Sequence, residues 1–293
     1  GHDLIKAGSA SIVVAGGMES MTNAPHMASV RAGVRFGDAK FVDHMAWDGL
    51  VNPYDGKAMG VFGDATAAKY GFTREDQDAY AAESVRRAQA AIASGAFADE
   101  IVPVKVATRK GDIEVAVDEQ PGKCDIAKIP TLKPAFAKDG SVTAASSASI
   151  NDGAAATVLT SAEEAARRGL KPLARILGHA THSQEPAWFT TAPVAAIANV
   201  LKKVGWSVED VDLFEINEAF AVVAMAPIKE LGIPHEKVNV NGGACALGHP
   251  IGASGARLVV TLIHAMQKRG AKRGVAALCI GGGEATALAI ELA

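Results

Sequence analysis

Three side chains have the type and setting to carry covalent chemistry: His249, Cys279 and Asn217. His249 lies in the glycine-rich stretch Asn241-Gly-Gly-Ala-Cys-Ala-Leu-Gly-His-Pro250, between a β-branched run and an apolar helix opened by Gly252-Ala-Ser-Gly255. Histidine exchanges protons near neutral pH. Cys279 stands at the end of the apolar run Val275–Ile280, directly before Gly281-Gly-Gly283. A thiol can act as nucleophile or as acid and base. Glycines let backbone N–H groups approach an oxygen on which negative charge develops. Asn217 follows the run Val211–Ile216, so its amide could orient a water or a substrate oxygen. Base, thiol and glycine turns at strand ends suggest acyl chemistry on an α/β scaffold.

Each residue also has a plainer reading. A loop histidine before Pro250 could be exposed or could cap a helix. Free cysteine is among the most buried residue types, so Cys279 could be simple packing, although a core strand rarely needs the triple glycine beside it. Asn217 is a good helix N-cap. Cys245, flanked by alanines, reads as small packing, and Cys124, among Lys, Asp and Gly, reads as a surface residue.

The elements that must position these groups follow from the apolar pattern. Residues 2–7 read as the last turns of a helix stopped by Gly8, then a strand runs from Ser11 to Ala15 and ends in Gly16-Gly17. Near the other end, Thr261–Arg269 is a helix end stopped by Gly270, and strand Val275–Ile280 again ends in a glycine cluster. This internal repeat suggests two similar halves. The helix start matching Gly252-Ala-Ser-Gly255 would fall about ten residues before Gly1 by this repeat reading, so the front of the first half is expected to be missing. Residues 20 to 145 read as an excursion. In it, Thr73 and Asp76 form a capping-box signature for a helix reaching Gly95, and Ile101–Val106 with Ile113–Val117 forms a hairpin around Arg109-Lys-Gly-Asp112. Ala154–Leu159 then reads as a strand and Ala162–Arg168 as a helix. From Leu173 on, strands (211–216, 238–240, 275–280, 286–291) alternate with helices (194–204, 218–231, 254–268), which implies a mostly parallel sheet.

Composition narrows the class. The 293 residues are 49% hydrophobic, enough for one large or two ordinary domains. Net charge is −3 with no Lys/Arg cluster, which argues against nucleic acid or an anionic membrane as partner. Residues 101–140 hold seven Lys/Arg but six Asp/Glu, weak support for phosphate binding. Three cysteines without short spacing speak against a disulfide framework or a zinc site and fit a reducing, cytoplasmic setting. No stretch approaches the roughly 18 apolar residues of a membrane span. The glycine loop does not follow the dinucleotide pattern G-x-G-x-x-G, which disfavours a nucleotide-binding oxidoreductase.

Five segments in order resemble the thiolases, the acetyl-CoA acetyltransferase and 3-ketoacyl-CoA thiolase family. They are Val13-Val-Ala-Gly-Gly-Met-Glu-Ser-Met21, Asn151-Asp-Gly-Ala-Ala155, Asn217-Glu-Ala-Phe-Ala221, Asn239 through Arg257, and Cys279-Ile-Gly-Gly-Gly283. The resemblance implies an α/β fold of two similar five-stranded mixed-sheet halves with an inserted loop domain. Residues 1–20 and 144–170 would be the remainder of the N-terminal half, 21–143 the CoA-binding loop domain, and 171–293 the C-terminal half. It implies ping-pong acyl transfer, with acyl-CoA thioesters and CoA as partners, no separate cofactor and no metal, and a homodimer or homotetramer in intact form. Carried over by residue, His249 activates the nucleophile, Cys279 moves the α-proton, and Asn217 holds a water that forms one oxyanion site with His249. The Gly281 backbone helps form the other, and Leu50, Met59, Phe136, Ala144 and Ala219 line the substrate and CoA site.

The departures from the family pattern are specific. The nucleophile's Cys-x-Ser-Gly turn is absent from these residues, so the 293 residues alone are expected to be inactive. Ala58 stands where short-chain members often have His, Ala148 where a serine often touches pantetheine, and Gly122, beside Lys123, where an arginine is common. The expected activity is formation or cleavage of acetoacetyl-CoA. The rivals are a 3-ketoacyl-CoA thiolase of broader chain length and a non-catalytic acyl-CoA binder.

Overall fold

A computed structural model describes all 293 residues. Helix α1 (His2–Lys6) leads into β1 (Ile12–Ser20). The excursion follows with β2 (His26–Ala28), β3 (Phe41–Asp43), a π-helical turn Met45–Leu50, α2 (Met59–Tyr70) and α3 (Arg74–Ala93). It closes with the hairpin β4 (Val104–Thr108) and β5 (Gly111–Val115), then α4 (Glu119–Lys123). After β6 (Asp152–Thr160) and α5 (Ala162–Arg167) come β7 (Ala174–Ser183), α6 (Ala192–Val204), β8 (Leu213–Ile216) and α7 (Ala221–Leu231). The chain ends with α8 (Ala244–Leu247), α9 (Ile251–Arg269), β9 (Arg273–Ile280) and β10 (Glu284–Leu292).

Strand β1 runs through Gly16 and Gly17 instead of stopping there, and it pairs antiparallel with β6 from Ile12↔Thr160 to Ser20↔Asp152. The glycines serve close approach, not a turn. A Cβ on Gly17 would collide with the carbonyl of Gly252 in the first turn of α9. Helix α9 packs against both β1 and β6 on one side and against β8 and β9 on the other. It is therefore sandwiched between two sheets.

The second sheet has the order β7-β10-β9-β8. It is mixed, but the expected dominance of parallel pairing is wrong. Only β8 and β9 pair in parallel, while β10 is antiparallel to both of its neighbours. Three residues, Gly281 to Gly283, turn β9 directly into β10, too short a link for the crossover that parallel strands require. The expected strand 238–240 shrinks to a single parallel bridge, Phe214↔Val238. Asn239 has a left-handed backbone (φ 46°), which breaks the strand. Its side chain takes over the ladder, with Oδ1 accepting from Ile216 N at 2.8 Å and Nδ2 donating to Ile216 O at 2.8 Å. Four strands and this bridge form the second sheet, while two strands form the first.

Alternation along β8 sets what faces the site. Phe214 and Ile216 enter the core shared with α6 and α7. Leu213 packs with Leu258, Leu262 and Met266 of α9, so Glu215 and Asn217 face α9 as well. Burying each such large apolar side chain contributes about 1.5–3 kcal/mol. The excursion's main helix, α3, carries the expected capping box, with Thr73 and Asp76 bonded reciprocally. Helix α2 was not legible as a separate helix, although the left-handed Gly71 that ends it is a readable stop signal. No helix is long and apolar enough to cross a membrane.

Candidate active site

Asn217 and His249 meet where β8 and the glycine loop converge. Asn217 Nδ2 lies 3.1 Å from His249 Nε2, and His249 Nδ1 lies 2.6 Å from Ser254 Oγ. Ser254 Oγ in turn donates to the Pro250 carbonyl at 2.9 Å, so its oxygen accepts from Nδ1–H. This leaves the lone pair on Nε2, where Asn217 donates. A hydroxyl can also turn and donate, so Ser254 can support a proton on Nε2 once Asn217 Nδ2 moves off that atom. The His249 N–H is tied to the Ser149 carbonyl at 3.1 Å, which fixes the loop. Helix α7 starts at Ala221, so Asn217 is not its N-cap. Asn217 is fully buried, and its Oδ1 has no protein partner, free to accept from a water or ligand.

Burial, then the charge of Arg257, pushes the His249 imidazole down to about 4, so it is neutral at physiological pH. A neutral imidazole can take a proton or donate a hydrogen bond without carrying a resident charge. Cys279 is 7% exposed, and burial pushes its thiol up to about 12. The resting group is thus a protonated thiol, fit to return a proton. It packs with Phe62, Val142, Phe189 and Phe220, with Met59 and Ala219 against the same cluster. The neighbouring Gly281 N–H has no protein acceptor, and the residue is exposed.

Most of the expected lining residues gather around the thiol. Met59 Cε would lie 3.3 Å from a Cβ on Gly281. Phe136 stacks edge-on against Phe220 at 5.8 Å between ring centroids. Ala219 O accepts from Ala148 N at 3.1 Å, in a strip that also contains the exposed Ala144. Leu50 stands apart from that cluster: it ends the π-helical turn whose Gly49 lies against Ile251, two residues beyond His249. Ala58 caps α2 just before Met59, and Lys123, beside Gly122, pairs with Glu119 at the surface. Cys124 is half-buried against the Val85–Phe97 cluster, more enclosed than the surface setting expected of it. Cys245 packs against the main core, as expected. A surface groove of about 650 Å³ between α3 and α7 includes neither His249 nor Cys279.

Sequence reasoning missed Glu218. It is 1% exposed, yet its carboxylate accepts from Tyr80 Oη (3.0 Å), Ser84 Oγ (2.7 Å), Asn239 Nδ2 (2.7 Å) and Cys245 N (3.0 Å). It ties α3 and the glycine loop to the end of β8. Its only sequence signal is an acidic residue wedged between an apolar strand and an apolar helix. Glu218→Ala should lower unfolding free energy by about 3–5 kcal/mol, because four buried donors lose one acceptor group. Urea denaturation measures this, and a loss under about 1 kcal/mol would show that the donors find other partners.

Residues 1–163 match the family described as thiolase, N-terminal domain, and residues 170–292 match thiolase, C-terminal domain. The chain is 53% identical over 290 residues to an acetyl-CoA acetyltransferase of Chromobacterium violaceum, covering 98% of this chain and 74% of that protein. It is 49% identical over 290 residues to the cytosolic acetyl-CoA acetyltransferase of Mus musculus, covering 98% and 73%. Among solved structures, a Bacillus anthracis acetyl-CoA acetyltransferase superposes with TM-score 0.95 at 43% identity, covering 99% of this chain and 74% of that one. An Ascaris suum thiolase in complex with coenzyme A gives 0.92 at 46%, and human mitochondrial 3-ketoacyl-CoA thiolase gives 0.94 at 38%, each covering 99% of this chain and 74% of the other. With both domains matched in order over nearly its whole length, the chain belongs to the thiolase family, acyltransferases that use coenzyme A as a substrate.

Proposed function

We propose that this chain carries the proton-transfer half of a thioester condensation that forms or cleaves acetoacetyl-CoA. Cys279 takes a proton from the methyl carbon of acetyl-CoA, or returns it in cleavage. The electron pair released from the C–H bond moves onto the thioester oxygen. With Ser254 donating to Nδ1 and Asn217 Nδ2 released from Nε2 by the incoming thioester, the Nε2–H of His249 stabilises that oxygen together with a water held by Asn217, and the Gly281 N–H serves a second oxyanion. The carrying observation is the Asn217–His249–Ser254 chain, which holds a buried, neutral imidazole between an amide and a hydroxyl that can each exchange its partner. The segment 21–143 is proposed to hold the CoA arm, with Met59 and Phe136 reaching the thiol. Identity of 49–53% to two acetyl-CoA acetyltransferases supports this substrate over a longer one.

These residues contain no Cys-x-Ser-Gly turn, and none of the three cysteines replaces it. Carbon–carbon cleavage therefore has no acyl acceptor here, whereas α-proton exchange needs only Cys279 and the oxyanion groups. The test is to incubate the 293-residue chain with acetyl-CoA in D2O and follow methyl deuteration by mass spectrometry, with acetoacetyl-CoA cleavage assayed alongside. Exchange without cleavage is the expected result. A folded chain that binds CoA but gives no exchange above buffer would instead be the non-catalytic binder. The apolar strip Val14, Met18 and Val158, exposed along β1 and β6, supports a homodimer or homotetramer, which light scattering can measure. A cytosolic setting is proposed from the mouse relative.

A second reading, broader chain length, rests on Ala58. A small residue before Met59 leaves room where a larger side chain would stand. Each methylene in an apolar pocket is worth about 1–3 kcal/mol. Exchange at the α-carbon of four-, six- and eight-carbon thioesters should then fall by less than about tenfold per step. A drop of several orders of magnitude at six carbons would leave a strict short-chain enzyme.

A further inference from the structure

Beneath the Asn217–His249–Ser254 chain, the same two elements build a charged layer. Along β8, Leu213, Glu215 and Asn217 face α9 in succession. Along α9, Leu258, Arg257 and Ser254 answer them. An apolar contact, a charged contact and a hydrogen-bonded contact thus stack in order toward the imidazole. Arg257 Nη1 lies 3.5 Å from Glu215 Oε2. Glu215 is 1% exposed, yet neither of its oxygens has a hydrogen-bond partner, and neither do Nη1 and Nη2 of Arg257. Glu218, three residues on, is fully bonded by contrast. A buried pair lacking hydrogen bonds is a poor stabiliser compared with apolar residues of similar volume.

We infer that Arg257 is a positioning residue for His249: held against Glu215 one layer below the ring, its cation opposes a second positive charge on the imidazole and keeps the ring neutral for the thioester. The inference rests on the reading of His249 as the group that faces the thioester. The groups bonded to the ring and its backbone, Asn217, Ser254 and the Ser149 carbonyl, are uncharged. Three carboxyl groups act on Arg257. Glu215 lies on β8, and Glu100 and Asp118 reach it from the excursion. Glu100 also accepts from Thr261 on α9 at 3.2 Å. Burial pushes Glu215 up to about 8 and Glu100 up to about 7, each against the pull of Arg257. It also raises Asp118. At neutral pH the guanidinium is therefore only partly compensated, and its field reaches the ring. Burial and Arg257 act on His249 in the same direction.

The test follows the His249 ring by NMR in histidine-labelled chain, with the resonance assigned by its loss in His249→Asn. In wild type, Glu215→Gln and Arg257→Lys, the ring should become protonated only at about pH 4 or below. Removing the cation in the double variant Glu215→Gln/Arg257→Met, which keeps the volume, should raise the midpoint by about one pH unit, tenfold in the protonation equilibrium. An unmoved midpoint in the folded double variant overturns the inference. So does Arg257→Lys shifting as far as the double variant, or loss of fold in every Arg257 variant, which would make the residue a strut. Acetyl-CoA exchange is read separately. If wild type gives no exchange while the ring titrates as stated, the proposed function fails and the role of Arg257 stands.

Discussion

Cys279→Ala should lower deuterium exchange at the methyl group of acetyl-CoA by about 10²–10⁴, the usual contribution of a positioned general acid or base. The substitution removes one sulfur from a site packed by Phe62, Val142 and Phe220, so the fold should survive it. The pH profile makes the assignment specific. Burial pushes the thiol up to about 12, so between pH 7 and 10 the reactive thiolate is a small fraction that grows as protons are removed. Exchange should rise with pH by about tenfold per unit over that range, without a plateau. In Cys279→Ala the rise should vanish. A plateau below about pH 9 in wild type would mean that bound thioester or the Gly281 turn stabilises the thiolate far more than burial opposes it. Equal exchange in wild type and variant would remove Cys279 from proton transfer altogether.

His249→Ala should slow the same exchange by about 10²–10³, because a donor aimed at the enolate oxygen is lost from a water-poor site. The variant also leaves Asn217 Nδ2 and Ser254 Oγ without their shared partner, a stability loss of about 1–3 kcal/mol that thermal melting can read. Coenzyme A affinity, measured by calorimetry, should be unchanged, since the ring is assigned to the thioester and not to the CoA arm. A large loss of CoA affinity with exchange intact would reassign His249 to binding.

The three candidate groups are legible in the sequence because their types are unusual for their places. A histidine in a glycine loop, a thiol before three glycines and an amide after a buried strand all stand out from core composition. Their supports were hidden for a physical reason. Glu218 looks like any solvated carboxylate until Tyr80 and Ser84, more than a hundred residues earlier, arrive to bond it. Ser254 reads only as part of a helix opening, and its bond to His249 depends on the helix beginning at Ile251. Gly16 and Gly17 read as a strand end because nothing local shows that β6 will press against Gly16 and α9 against Gly17. The left-handed turn at Asn239 was equally silent, so a β-branched pair flanking it read as a strand. Local pattern placed the elements, and long-range contact decided their ends and pairing.

The antiparallel pair of β1 and β6 encloses the whole excursion as one long loop. The entropy of closing a loop grows only logarithmically, about 0.6 kcal/mol for each doubling of length. Adding ten residues to a loop on the order of 130 residues therefore costs about 0.1 kcal/mol at most. The excursion supplies Met59 to the cluster around the thiol and Phe136 against Phe220, while Asn217, His249 and Cys279 all follow β6 in the chain. The excursion can thus change length at almost no loop-closure penalty. Asn217, His249 and Cys279 sit at the end of β8, in the loop into α9 and on β9, so a change in the length of the excursion leaves their supports in place.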